Sequence, residues 1–398
     1  MPTSYNFREN GLDYSFDDIF VPADMFRDGN LWTWGRSNNG QLGNGQISSI
    51  STPVTTFAGG TNWKQVSSGL EHTAAIKTDG TLWTWGYGAF GQLGNAQINS
   101  RSTPVTTFAG GNDWKQVDVA AYHTVAIKTD GTLWTWGIGS TGVLGNGTTT
   151  GNRSTPVTTF AGGTNWKQVR CGTYHTAAIK TDGTLWTWGV ATNGVLGNTF
   201  TSGNRFTPVT TFAGGNDWNK VSCGNYYTGA TKTDGTLWVW GNGFFGQLGN
   251  AQSINVSTPV TTFAGGNDWK HIEAGVVQVA AIKTDGTLWT WGQGSYGRLG
   301  NASTTFTSTP VTTFAGGNDW KRVNGGTATH MAAIKTDGTL WAWGANNYFG
   351  FSAIGQLGNA QSINVSTPVT TFAGGNDWKQ VSCGNYYTTA LTYIDSVI

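Results

Sequence analysis

"KTDGTLWTWG" occupies residues 77–86 and returns unchanged at 128–137, 180–189 and 283–292. It returns with one substitution as KTDGTLWVWG at 232–241 and KTDGTLWAWG at 335–344, and a shortened copy, RDGNLWTWG, comes first at 27–35. Its Leu-Trp pair starts at 31, 82, 133, 185, 237, 288 and 340, in steps of 51 or 52 residues. TPVTTF also recurs seven times, from Thr52 to Thr367. A third tryptophan stands once in each unit, from Trp63 to Trp378, so seven units of three account for all 21 tryptophans. A strict period of this size means stacked supersecondary units, none able to bury its faces alone.

Within residues 63–107, WKQVS, HTAAIK, TLWTW and STPVTTF read as four short strands. Asp79-Gly80 predicts a type I′ hairpin turn, with positive φ at both positions. The proline of TPV suits an outer edge strand, where a missing N–H does no harm. No segment shows helical periodicity. Seven such antiparallel units predict an all-β, seven-bladed β-propeller of four-stranded blades. Leu82 on one face of its strand and Trp83 and Trp85 on the other then fill the gaps between splaying blades.

The first copy lacks a second strand before it, and the last, TTALTYIDSVI, lacks a turn after it. The chain is expected to enter at the third strand of a blade (Leu31–Trp34) and continue into its fourth (Ser51–Phe57). It is expected to end with the first and second (Trp378–Ser382 and Tyr387–Tyr393). N- and C-terminal strands then pair in one blade and close the ring, removing open edges. The domain reading is an N-terminal arm at 1–28 and a propeller at 29–398. The arm is acidic, with Glu9, Asp13, Asp17, Asp18, Asp24 and Asp28 against Arg8 and Arg27.

Charged residues are only 11% of the chain and the net charge is +1, so a nucleic-acid partner is not expected. No run approaches the apolar length of a membrane span, and MPTSYNFREN has no apolar core of a secretory signal. Cys171, Cys223 and Cys383 share a position with Ser68, Val119, Ala274 and Gly325, which reads as small-residue packing.

Most propeller carboxylates lie in TDG turns and GGND loops and have turn-forming roles. The exceptions are Glu71 beside His72, Asp118, Glu273 two residues after His271, and Asp395. His72, His123, His175 and His330 share a position with Tyr227, Gln278 and Tyr387, which predicts a bulky hydrogen-bonding tether to a neighbouring loop. The glycines of the GxGxxGQLGN segment open no helix, so no phosphate loop is expected. No catalytic residue, metal or cofactor is assigned, and the chain reads as a non-enzyme.

Strand alternation places the TDG turns and FAGGNDW loops on one face, and the loops after WG and before HTAAIK on the other. The second face varies, down to extra residues within 345–355. Loops on a rigid scaffold carry function. Candidate binding aromatics there are Tyr87, Phe90, Phe244, Phe245, Tyr296, Tyr348, Phe349 and Phe351. Arg101, Arg153 and Arg205 occupy one position in three consecutive units and form a candidate basic arc for an anionic partner.

GLEHTAAIKTDGTLWTWGYGAFGQLGN at 69–95 resembles the repeat of the regulator of chromosome condensation family. The resemblance covers about residues 29–398 and implies the propeller fold. The family's best-known member exchanges nucleotide on a small nuclear GTPase and sits on chromatin. The acidic arm departs from the basic tail of the chromatin-binding members, and the near-identical, Thr/Asn/Gly-rich copies resemble versions encoded by tailed phages. That resemblance implies a structural interaction protein of a virion, held to protein subunits by residues 1–28. The loop face would then attach to a surface glycan or protein of the host. A cytoplasmic GTPase regulator and a lectin-like carbohydrate binder are the alternatives.

Overall fold

The computed structural model describes residues 27–149, 151–348 and 352–394. Among these, seven four-stranded antiparallel sheets form a propeller. In the blade built from one continuous stretch, Trp63–Ser68 lines the channel, and His72–Lys77, Leu82–Gly86 and Arg101–Thr106 follow outward. Five further blades repeat this order. The seventh is assembled from both ends of the chain, in the order Ile50–Thr55, Arg27–Gly35, Tyr387–Ile394, Trp378–Gly384. Leu31 lies opposite Leu391 and Trp34 opposite Thr388, with a bulge between Asp28 and Leu31. This seam blade is the ring closure expected from the two incomplete copies. Its entering strand starts at Arg27, so most of the segment read as an arm falls outside the described residues. The long loop of the last unit carries a small hairpin, Asn347–Tyr348 against Ser352–Ala353.

The tight turn differs from expectation. In the Lys77–Thr81 hairpin, positive φ belongs to Gly80 alone, at 80°, so the turn is not type I′. The reason is local. Asp79 Oδ1 accepts hydrogen bonds from the Thr81 amide at 2.9 Å and the Thr81 hydroxyl at 2.7 Å, which fixes Asp79 outside the left-handed region. These bonds hold the Asp79 carboxyl below the usual carboxylate range.

Between blades, the Leu-Gly of the GQLG segment explains its own recurrence. Its leucine is buried in every unit, from Leu42 to Leu357. Its glycine has φ of 60–67°, and a Cβ there would lie 2.5–2.8 Å from the indole nitrogen of the next blade's tryptophan. That indole donates to the carbonyl just before the leucine, as in Trp85 to Gln41, Trp136 to Gln92 and Trp34 to Gln356, each at 2.9 Å. Within each blade, the inner-strand tryptophan meets both third-strand tryptophans edge-on, at centroid separations of 6.1–6.4 Å. Such pairs add about 0.5–1.5 kcal/mol beyond area burial.

The shared His position is a tether to the next blade, as expected, but it reaches a strand hydroxyl rather than a loop. His72 Nε2 meets the Thr124 hydroxyl of the next blade at 3.0 Å, and His175 meets that of Thr228 at 2.8 Å. Tyr387 replaces the imidazole at the seam, donating to the His72 carbonyl at 2.7 Å. The four tether histidines are fully buried, and burial pushes each pKa down to about 3, so they stay neutral.

Candidate interaction face and central channel

The loop before each second strand opens on the variable face at the channel mouth. Its last residue is Glu71, Tyr122, Tyr174, Tyr226, Val277, Thr329 or Tyr386 in successive units. The carbonyl of this residue accepts the amide that follows the WG of its own blade, as in Ile138 to Tyr122, Val190 to Tyr174 and Asn242 to Tyr226. The backbone is therefore pinned alike in each blade and only the side chain differs. Tyr174 and Tyr226 stack at 4.9 Å with planes 21° apart. Phe90 stands edge-on to Tyr122 at 5.1 Å and to Tyr87 at 6.0 Å. Partial burial and the neighbouring Tyr174, Glu71 and Tyr87 push the Tyr122 phenol up. All five rings are half-buried, forming an arc over four consecutive blades. Arg36 pairs with Glu71 at 3.3 Å at one end, and Asn39 donates to the same carboxylate at 3.0 Å.

The other loop aromatics sit apart from this arc or in the undescribed segment. Phe244 and Phe245 meet edge-on at 6.4 Å, and Phe244 is 70% exposed. Tyr296 has φ of 63° and lies 5.6 Å from the Arg298 guanidinium. The side chain of Tyr348, and all of Phe349 and Phe351, fall outside the described residues. Arg101 and Arg153 begin outermost strands, and Arg205 is the second residue of the outermost strand Asn204–Thr210 in the next blade, each half-buried. Each is turned to its own loop: Arg101 donates to Gln97, Gly151 lies near Arg153, and Arg205 lies 3.5 Å over the Phe200 ring.

Sequence reasoning missed Tyr122, Tyr174 and Tyr226, although their shared place beside the tether position was readable. It also left Asp118 without a partner and saw Glu273 only beside His271, not as part of a cluster with Arg170. One inner-strand position holds Ser67, Asp118, Arg170, Ser222, Glu273, Asn324 and Ser382 around the channel. In four of these units the side chain accepts the next blade's amide: Ser67 from Val119, Ser222 from Ala274, Asn324 from Cys383 and Ser382 from Ser68. Asp118 does the same for Cys171 at 2.7 Å. Arginine cannot accept, and Arg170 instead spans the channel, with Nη1 3.4 Å from Asp118 and Nη2 3.4 Å from Glu273. Burial drives the Asp118 carboxyl up despite Arg170. At Glu273 burial is outweighed by Arg170, His271 and Ser222, and the carboxyl stays below its ordinary value.

This bridge divides a loop-side cavity of about 40 Å³ from a turn-side cavity of about 80 Å³. Both are of a size for waters. His271 and Glu273 do meet, at 3.5 Å, but within this ion cluster. Among the described residues, no three His, Cys, Asp or Glu side chains gather as a metal site. No described helix is long and apolar enough to cross a membrane.

Comparison with known proteins agrees with this geometry. The chain is 30% identical to the Arabidopsis thaliana ultraviolet-B receptor UVR8 over 337 residues, covering 83% of this chain and 75% of that protein. It is 28% identical to the human E3 ubiquitin-protein ligase HERC2 over 376 residues, 92% of this chain but 8% of HERC2. Among solved structures, human WBSCR16 superposes with a TM-score of 0.78 at 20% identity, covering 93% of this chain and all of that one. Yeast RCC1 (Prp20), in its complex with Kap60, superposes with a TM-score of 0.79 at 18% identity, covering 98% and 96%. The regulator of chromosome condensation (RCC1) repeat matches at residues 28–76, 79–127, 130–179, 182–231, 234–282, 285–334 and 337–391, so the chain belongs to the RCC1 repeat family.

Proposed function

We propose that this chain is a non-enzymatic interaction scaffold that docks a partner on its variable loop face. The observation that carries the reading is the arc of Tyr122, Tyr174 and Tyr226, set at equivalent places in neighbouring blades and extended by Tyr87 and Phe90 of the adjoining loop. Tyrosine gives large, rigid contact area with a polar tip and recurs as an anchor in interfaces. Protein partners also suit the relatives, since Prp20 is described bound to Kap60 and with binding properties to Gsp1p and histones.

The near-uniform repeats support a finer reading: a structural component of a tailed-phage particle. There the acidic segment 1–28 joins neighbouring subunits, and the loop face meets a host surface protein or glycan. The test is copurification of the tagged chain with virions, followed by Tyr122→Ser/Tyr174→Ser/Tyr226→Ser. The reading expects the chain in purified particles and at least about a tenfold loss of attachment in the variant, with folding intact. Capture of a small GTPase from host extract, without particle association, favours the exchange-factor alternative. Unchanged attachment removes the arc from the interface.

A further inference from the structure

Two arginines reach into the body of the propeller, and only one of them is answered. Arg170 has Asp118 and Glu273, each 3.4 Å away. Arg298 is 3% exposed, and among the described residues no carboxylate pairs with it. The ionisable groups that act on it are the phenols of Tyr296, Tyr386 and Tyr227. Burial pushes the guanidinium down to about 10, so at neutral pH it carries its charge with no anion to balance it. An unpaired charge at such depth is costly, and charges kept at such a cost cluster at functional sites.

Its place in the repeat shows that the fold does not need this charge. The equivalent residues are Gln41, Gln92, Val143, Val195, Gln247 and Gln356. In three of the glutamine units the side-chain oxygen accepts the loop amide two residues back, from Asn39, Phe90 or Phe245, at 2.8–2.9 Å. Arg298 reverses the polarity, with Nε donating to the Ser295 carbonyl at 3.0 Å. Tyr296 takes the left-handed conformation, at φ of 63°, and its ring lies 5.6 Å from the guanidinium. Nε is thereby satisfied, while the two terminal nitrogens donate to no described residue. Neither nitrogen is sealed from solvent, and Tyr296 beside them is 37% exposed on the loop face.

We infer that Arg298 is a docking point for one carboxylate, carried by a glutamate side chain of a protein partner. A carboxylate accepts from both terminal nitrogens at once and supplies the missing charge. Depth selects the carrier. A guanidinium so little exposed is reached by a group on a slim, unbranched stem, which glutamate has. A uronic acid carries its carboxylate directly on a sugar ring, and a phosphate is tetrahedral and bulkier. Arg298 belongs to the loop of the fifth complete blade, and its carbonyl accepts the indole N–H of Trp343 in the sixth at 3.0 Å. The tyrosine arc lies on other blades, and the site does not depend on that arc being an interface.

The test uses the full chain and Nα-acetyl-glutamate N-methylamide at fixed ionic strength, followed by titration calorimetry and by the arginine Nε–H resonances. Expected is saturable binding on the order of millimolar, with the shift confined to the one resonance that Arg298→Gln removes. The glutamine analogue, with the same stem and no charge, should bind about tenfold more weakly or not at all. Methyl glucuronide, charged but wide, should be as weak. Arg298→Gln installs the residue that four sister copies already carry, and should abolish binding of the probe, with its thermal melt confirming the fold. Absence of saturation, equal binding of the glutamine analogue or of the glucuronide to the unaltered chain, or undiminished binding to Arg298→Gln overturns the inference.

Discussion

Six blades are each made from one stretch of chain, and the seam blade is made from two. Both kinds have the same strand order, the same tryptophan triad and the same indole staple to the preceding blade. What differs is the hairpin. In a continuous blade the second and third strands are joined by the Asp-Gly turn and its lysine. In the seam they are held by register alone, Leu31 against Leu391 and Trp34 against Thr388. Strand pairing and packing therefore define a blade, and the covalent turn is secondary to them.

That contrast breaks most severely if half of the seam is removed. Deleting residues 387–398 takes away the strand that joins Arg27–Gly35 to Trp378–Gly384. Two edges are then left unpaired, and a chain that no longer gives a single cooperative melt, or aggregates, is the expected outcome. The converse sharpens the comparison. A circular permutant with its ends joined and opened at Asp130–Gly131 should fold, with a melt within a few degrees of the parent. Failure of that permutant would give the turn a role the seam denies it.

The tethers also divide the blades, four bearing histidine and three bearing Tyr227, Gln278 or Tyr387. A buried imidazole with its pKa near 3 stays neutral, while the unfolded chain takes up a proton below about 6.5. Stability is therefore fully present above pH 6.5 and is lost as the pH falls toward 3. The slope is up to about 1.4 kcal/mol per pH unit for each histidine. Replacing all four with glutamine, the side chain already used at Gln278, should flatten the acid limb in urea melts taken between pH 4 and 7.

Channel asymmetry gives a smaller effect. Arg170→Met leaves Asp118 and Glu273 without their shared cation and should cost about 2–4 kcal/mol at neutral pH. Adding Asp118→Asn and Glu273→Gln should recover part of that loss in the same denaturant titration.

The fold was readable because its signals are repeated. Three tryptophans per unit and two incomplete copies specify the blades and the seam without ambiguity. The turn type was not, because a carboxylate hydrogen bond at Asp79 outweighs the usual preference of an Asp-Gly pair. The channel cluster was hidden for another reason. Asp118, Arg170 and Glu273 are 52 and 103 residues apart, and only ring geometry brings them together. Their common repeat position was visible all the same, as was that of Tyr122, Tyr174 and Tyr226. Aligning singular residues by repeat position finds both groups, whereas searching the longest loops finds neither.

The indole staples all point one way, each blade's tryptophan reaching back to the loop carbonyl of the blade before it. Because these donors and acceptors are nearly interchangeable among units, a folding blade can dock on a wrong neighbour and still satisfy its bonds. Kinetic traps with a skipped or swapped blade are the hazard of such a chain, as for other repeat proteins. Copy-specific contacts counter it. The Arg170 bridge forms only when the second, third and fifth repeats after the entering half-blade stand in their proper places. Tyr387 donates to the His72 carbonyl and accepts from Thr73, so it recognises the first complete repeat as its neighbour. These few side chains act as a counting device in a sequence whose other parts carry no record of position.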